Sequence, residues 1–309
     1  MPAGIREGFM SKKKKKVSLS TILLVIILLV GLSVMLYPVI SNWWNSHTQS
    51  RAIAVYQEAV EELSEVDYKK VMNDAKAYNK EVRKLRDPFV DYEEIPDYDN
   101  ILNVSGNGVM GYISIPQIRV ELPIYHGTGE GVLSIAIGHL QGSTLPIGGA
   151  GNHSVISAHR GLPSAKLFSD LDQLIVGDTF TITVLKDVYT YEVEEINIVE
   201  PNQMDKLICV PGKDLVTLMT CTPYGINSHR LLVRAHRTDN LIDGGKSSVS
   251  ADAVQIESIT VVPFVAVPLL VILIIYWIFS GRIKKRKVRI SGRLKTPEET
   301  LSKDDKINL

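Results

Sequence analysis

The chain has 309 residues, with 34 Lys+Arg balanced by 34 Asp+Glu and 45% hydrophobic residues. The charge is unevenly spread: residues 41–257 hold 18 basic and 29 acidic side chains, a net of −11, offset by +5 before and +6 after them. An acidic middle argues against nucleic-acid binding, which needs a basic footprint.

Residues 1–16 form a basic N-terminus ending in Lys12 to Lys16. Residues 17–40 (VSLSTILLVIILLVGLSVMLYPVI) are uncharged and exceed the roughly 20 apolar residues needed to cross a bilayer. The run is longer than a signal-peptide core and no small-x-small cleavage site follows, so it reads as a retained anchor. A second uncharged run, 258–281, is followed by Arg282 and Lys284 to Lys287. Basic flanks mark the cytoplasmic side, so both termini are expected inside and residues 41–257 outside. Trp43, Trp44, Tyr276 and Trp277 lie where interfacial rings commonly rest.

In 41–86, Ile53, Tyr56, Val60 and Leu63, and then Val71, Ala75, Tyr78, Val82 and Leu85, recur at helical spacing. They predict two helices broken near Ser64 to Tyr68. Pro88, Pro96 and the acidic run from Asp91 to Asp99 in RDPFVDYEEIPDYDN end the pattern, so 87–108 is read as a linker.

From Val109 the texture becomes short, β-branched and alternating, as in GYISI, HSVISA, DTFTITV, LVTLMTC and RLLVRAHR. Such strands predict a mainly β barrel or sandwich over 109–240, with a short helical piece near SAKLFSDLDQL. The glycine-rich GTGEG and GNG read as turns. Residues 241–257 form a linker to the second span, and 282–309 a basic cytoplasmic tail.

Cys209 and Cys221 are the two cysteines. Export permits a disulfide between them, but a bridge across CVPGKDLVTLMTC closes a short loop and gains little. Cys209 in KLICV reads as a small buried hydrophobe, which leaves Cys221 free.

Alternation puts Val216 and Leu218 on the core face of LVTLMTC and Met219 and Cys221 on the other. If RLLVRAHR pairs with it antiparallel across TPYGINSH, with Leu231, Val233 and Ala235 in the core, Cys221 falls opposite Arg230 at the loop mouth. A thiolate is the useful nucleophile, and a nearby cation or imidazole favours it. Arginine cannot act as base, so a histidine is still required. Seven are present; each by itself reads as a surface or loop residue, and position alone does not single out His159. No Cys or His pair shows metal-ligand spacing.

TLMTC followed by Arg230, with HSVISAHRG upstream, resembles the sortases, cysteine transpeptidases of Gram-positive cell surfaces. The likeness covers roughly Val109 to Arg237. It implies an eight-stranded β-barrel, to which the sequence adds the N-terminal helical appendage and two flanking transmembrane helices. It also implies His159, Cys221 and Arg230 as the catalytic set, and no cofactor. TCTPYGINSHRLLVRAHR, the second span and RDPFVDY are similar to class C, pilus-assembling sortases. In that class an Asp-Pro-aromatic segment forms a lid over the site, which carries over to Asp87 and Phe89. The implied reaction cleaves an LPxTG-like sorting signal between Thr and Gly and joins it to a lysine amine of another pilin. A housekeeping sortase acting on cell-wall precursor is the alternative within the same chemistry. A non-enzymatic surface scaffold, with Cys221 buried or bridged, is the alternative outside it.

Overall fold

The computed structural model describes residues 19–239 and, isolated from them, residue 268. The expected basic N-terminus, the linker from 241, the second span at 258–281 and the basic tail lie outside those residues, apart from that one position.

Helix α1 (Leu19–Glu61) runs unbroken from the apolar segment into the expected extracellular helix, with Pro38 inside it. The boundary expected at residue 40 is therefore chemical, not conformational: apolar side chains give way to an amphipathic stripe without a change of backbone. α1 supplies the one helix among the described residues long and apolar enough to cross a membrane. The helix break falls where the spacing predicted. Ser64 caps α2 (Glu65–Val82) by accepting a hydrogen bond from the Asp67 N–H, and α2 buries Met72, Ala75, Tyr78 and Val82.

The barrel comprises β1 (Val109–Ile115), β2 (Val120–His126), β3 (Ile137–His139), β4 (Asn152–Ser157), β5 (Thr179–Val184), β6 (Asp187–Val199), β7 (Asp214–Thr222) and β8 (His229–Thr238). They close in the order β1-β2-β3-β4-β7-β8-β6-β5. Closure leaves no free edge to template aggregation. Only β2–β3 and β4–β7 pair in parallel, so β1, β4, β6 and β7 all finish at one end, called here the site rim. Val216, Leu218, Leu231, Val233 and Ala235 fill the interior as the alternation predicted.

Phe168 and Leu171 of the β4–β5 connection are fully buried in the same core. The helix expected in that connection is reduced to one 3-10 turn, Leu171–Gln173. GTGEG departs from the expected plain turn: after Gly129 the chain forms a one-turn helix, α3 (Glu130–Leu133), within the parallel crossover from β2 to β3.

α1 lies along β1 and β2. Near its membrane end Asn42 accepts from the Lys166 N–H (2.9 Å), and Asn45 and Gln49 donate to the carbonyls of Ser164 (2.8 Å) and Ile135 (2.6 Å). Further along, the buried Tyr56 hydroxyl donates to Met110 O (3.0 Å) and accepts from Leu185 N (2.7 Å) at the opposite end of the barrel. Burial raises the Tyr56 phenol above its ordinary range, so it stays a neutral donor.

Candidate active site

β7 and β8 pair with Cys221 directly opposite Arg230, the register that alternation predicted. The strands run slightly further than expected, because Thr222 also pairs with His229. The connecting loop is therefore residues 223–228 instead of the eight residues of TPYGINSH.

On its other side β7 pairs with β4 in parallel, from Asn152↔Asp214 to Ser157↔Met219. The ladder continues past the strand end: Ala158 N donates to Met219 O (3.1 Å), and the buried Thr220 hydroxyl donates to Ala158 O (2.8 Å). Carried two residues beyond Ser157, the same register sets His159 abreast of Cys221. A single row, His159–Cys221–Arg230, thus crosses three adjacent strands at the site rim on the outer face.

The His159 side chain is 29% exposed, and its Nε2 lies 3.7 Å from the Glu130 carboxylate. Cys221 is half-buried, and Cys209 and Cys221 are both free thiols. The bridge considered from sequence is therefore not formed. Cys209, expected as a buried hydrophobe, is likewise only half-buried, and what burial it has raises its thiol above the ordinary value, which suits an inert side chain. Arg230 Nη1 donates to Asn227 O (3.2 Å) and His229 O (3.1 Å). Among the described residues its Nε and Nη2 have no hydrogen-bond partner, so they remain available as donors.

His229 is exposed, as the surface or loop expectation has it, whereas three other histidines of the barrel are buried among structural partners, contrary to that expectation. His126 bonds Gly108 O and Ile101 O (2.9 and 2.7 Å). His139 lies between the Tyr98 hydroxyl (2.9 Å) and Thr144 O (2.9 Å). His153 bridges Ile208 O (3.0 Å) and the Thr217 hydroxyl (2.8 Å). Burial pushes both His139 and His153 down to about 4, keeping the rings neutral. Apart from the bond of His139 to Thr144, five residues on, these partners are distant in the chain, which is why no local pattern announces them.

Below the row, the outer face is apolar. Val155, Leu207 and Leu232 form a second small core with Met219, Leu140, Val199 and Met204, and Phe89 packs into it. The 87–108 segment thus lays an aromatic ring on this outer apolar face, whose Met219 lies two residues before Cys221 on the same side of β7. Gly142 permits the segment's approach: φ is +86°, and a Cβ there would meet Pro88 O at 2.1 Å. Further on, the Tyr98 hydroxyl accepts from Gly127 N (3.0 Å), tying the segment to the barrel.

Asp87 is exposed and, among the described residues, makes no ion pair with Arg230. Its carbonyl accepts from Val90 N (3.0 Å) and Asp91 N (2.8 Å), and its N–H donates to the Asp91 carboxylate (3.1 Å). Its visible contribution is the tight turn that presents Phe89.

Arg160, directly after His159, was not singled out from sequence. Its guanidinium bonds Asp172 (2.5 Å), Ser169 O (3.2 Å) and the Thr222 hydroxyl (3.5 Å) and lies over the Tyr224 ring at 5.8 Å. It therefore joins the loop that follows His159 to the one that follows Cys221. Thr220 was likewise unassigned; a polar residue at a core-facing strand position was the available signal.

A closed β-barrel with a thiol, an imidazole and a guanidinium in one row at its rim is a defined class of molecule, and comparison supplies its family. A family model described as "Sortase domain" matches residues 113–238. The chain is 51% identical to sortase C1 from Streptococcus agalactiae, covering 62% of this chain and 99% of that one, with a TM-score of 0.56. A structure described as the pilus-related sortase C of Group B Streptococcus is 42% identical, with 60% and 95% covered and a TM-score of 0.54. A curated relative, sortase A of Streptococcus agalactiae serotype III, is 37% identical over 117 residues, 37% of this chain and 47% of the relative's length. The chain belongs to the sortase family.

Proposed function

We propose that this chain is a membrane-anchored cysteine transpeptidase of the pilus-assembling type. The observation that carries the reading is the pairing of Cys221 with Arg230 beside a β4–β7 register that, carried two residues past Ser157, brings His159 abreast of Cys221.

Cys221 Sγ attacks the threonine carbonyl of an LPxTG-like sorting signal. The carbonyl oxygen becomes an oxyanion, met by the free donors of Arg230. Collapse breaks the Thr–Gly bond, His159 gives a proton to the departing glycine amine, and a thioester remains on Cys221. A lysine amine of another pilin then attacks the thioester carbonyl, and His159 takes its proton. Cys221 leaves, and the product is an isopeptide bond.

α1 holds the enzyme in the plane of substrates that are themselves membrane-anchored, which raises their effective concentration. Phe89 on the outer apolar face supports a lid that the sorting signal displaces. The pilus-type reading over a cell-wall-precursor acceptor draws on that segment and on the near-complete coverage of the sortase C structures.

The test is to incubate the full-length protein with a sorting-signal peptide and identify the adduct by mass spectrometry. A thioester on Cys221, absent in Cys221→Ala and resolved by a pilin lysine faster than by a wall-precursor amine, is expected. An adduct resolved only by the wall-precursor amine would overturn the pilus assignment, and no Cys221 adduct would overturn the enzymatic one.

A further inference from the structure

The orientation of the barrel against the bilayer follows from where α1 touches it. An α-helix rises ~1.5 Å per residue. Counting from Ile40, the last residue of the apolar run, Asn42 lies roughly 3 Å and Asn45 roughly 8 Å along the axis, still within the headgroup layer. Those two side chains bond Lys166 N and Ser164 O of the β4–β5 connection, which begins and ends at the site rim. Gln49, roughly 14 Å along, bonds Ile135 O just before β3 starts at the same rim. Tyr56, roughly 24 Å along, bonds Met110 O and Leu185 N at the far end. α1 therefore descends the barrel from site rim to far end, and the site rim is the end next to the apolar segment.

The surface of that rim suits the position. Exposed apolar side chains gather on its loops: Ile135 is 46% exposed, Ile175 66%, Val176 62%, Tyr224 57% and Ile226 72%. Beside them on α1, Trp43 and Trp44 are exposed as well. Amphipathic rings and apolar loop tips of this kind settle at the lipid–water interface.

We infer that the rim bearing His159, Cys221 and Arg230 rests on the bilayer surface, with the 223–228 loop and residues 175–176 in the headgroup layer and the far end of the barrel pointing away. The occupant of this apolar rim is lipid. The inference rests on α1 as a membrane span but goes beyond it, because a span by itself leaves the barrel free to face either way.

The full-length protein is reconstituted in vesicles of phosphatidylcholine and phosphatidylglycerol, on a Cys209→Ser, Cys221→Ala background. An environment-sensitive fluorophore is attached at Ile226→Cys on the rim or at Val66→Cys, which is 76% exposed at the start of α2. Quenching by a nitroxide on the lipid headgroup is expected to be several-fold stronger at 226 than at 66. Equal or reversed quenching in protein that co-floats with vesicles would overturn the orientation while leaving the anchor intact. Protein that fails to co-float would overturn both, so the two failures are distinguishable.

Discussion

Phe89→Ala tests the proposed lid by removing the ring that would anchor it. Phe89 is half-buried among Val155, Met219 and Leu232, so closing the segment takes roughly 100 Å² of ring surface out of water relative to alanine. At ~25 cal/mol per Å² that is about 2.5 kcal/mol, or roughly sixtyfold in the closed-to-open ratio. If Cys221 reacts with a thiol probe only when the segment is open, labelling in a Cys209→Ser background should accelerate by about that factor. Val90→Ala is the matched control, because Val90 is 69% exposed and its loss should change the rate by about twofold at most. Asp87→Ala belongs with the control, since the turn it forms uses its backbone. Gly142→Ala should behave like Phe89→Ala, because a Cβ 2.1 Å from Pro88 O must displace the segment. Unchanged labelling in Phe89→Ala, or equal acceleration in Val90→Ala, would refute the argument that ring burial holds the groove closed.

Thr220→Val keeps the shape of a buried side chain but removes its hydrogen bond to Ala158 O. A stability loss of about 1–2 kcal/mol is expected, with kcat falling more than KM rises because His159 follows directly on that carbonyl; chemical denaturation and steady-state transpeptidation would check both. Acid should also weaken the fold. His139 and His153 sit near 4 in the folded protein against 6.5 ordinarily, burial being the main cause. Between those values the unfolded chain binds more protons, so their contribution is complete above about pH 6.5 and is lost as pH falls toward 4, at about 3 kcal/mol for each ring. Melts at pH 7.5, 6 and 5 should show a progressive fall, and constant stability over that range would contradict the neutral, buried assignment.

Alternation in LVTLMTC and RLLVRAHR was enough to pair Cys221 with Arg230, because strand periodicity is a local property and one buried face selects one register. The helix break at Ser64 was legible for the same reason, since a cap acts within one turn. What resisted reading depends on distant partners. The parallel pairing of β4 with β7 sets His159 beside Cys221 across a long connection, and no local pattern distinguishes it from the other histidines. The continuity of α1 through residue 40 was hidden because the change of solvent resembles an element boundary. Asp87 was named from the resemblance for the lid, and what the structure shows at that position is backbone: its carbonyl and N–H close the turn before Phe89.

The row at the rim is kept in phase by ladder hydrogen bonds between β7 and β8 and between β4 and β7, the latter continued past Ser157 by the bonds of Ala158 to Met219 and Thr220. One residue inserted into β4 or β7 would invert the parity of everything after it and turn His159 or Cys221 toward the barrel interior. The same residue inserted in the 223–228 loop, or late in the connection between β4 and β5, well past Arg160, would leave the alignment untouched. The loops around the row can therefore vary in length and sequence while the spacing of His159, Cys221 and Arg230 stays constant, so on the proposed function specificity and chemistry are separable along this chain.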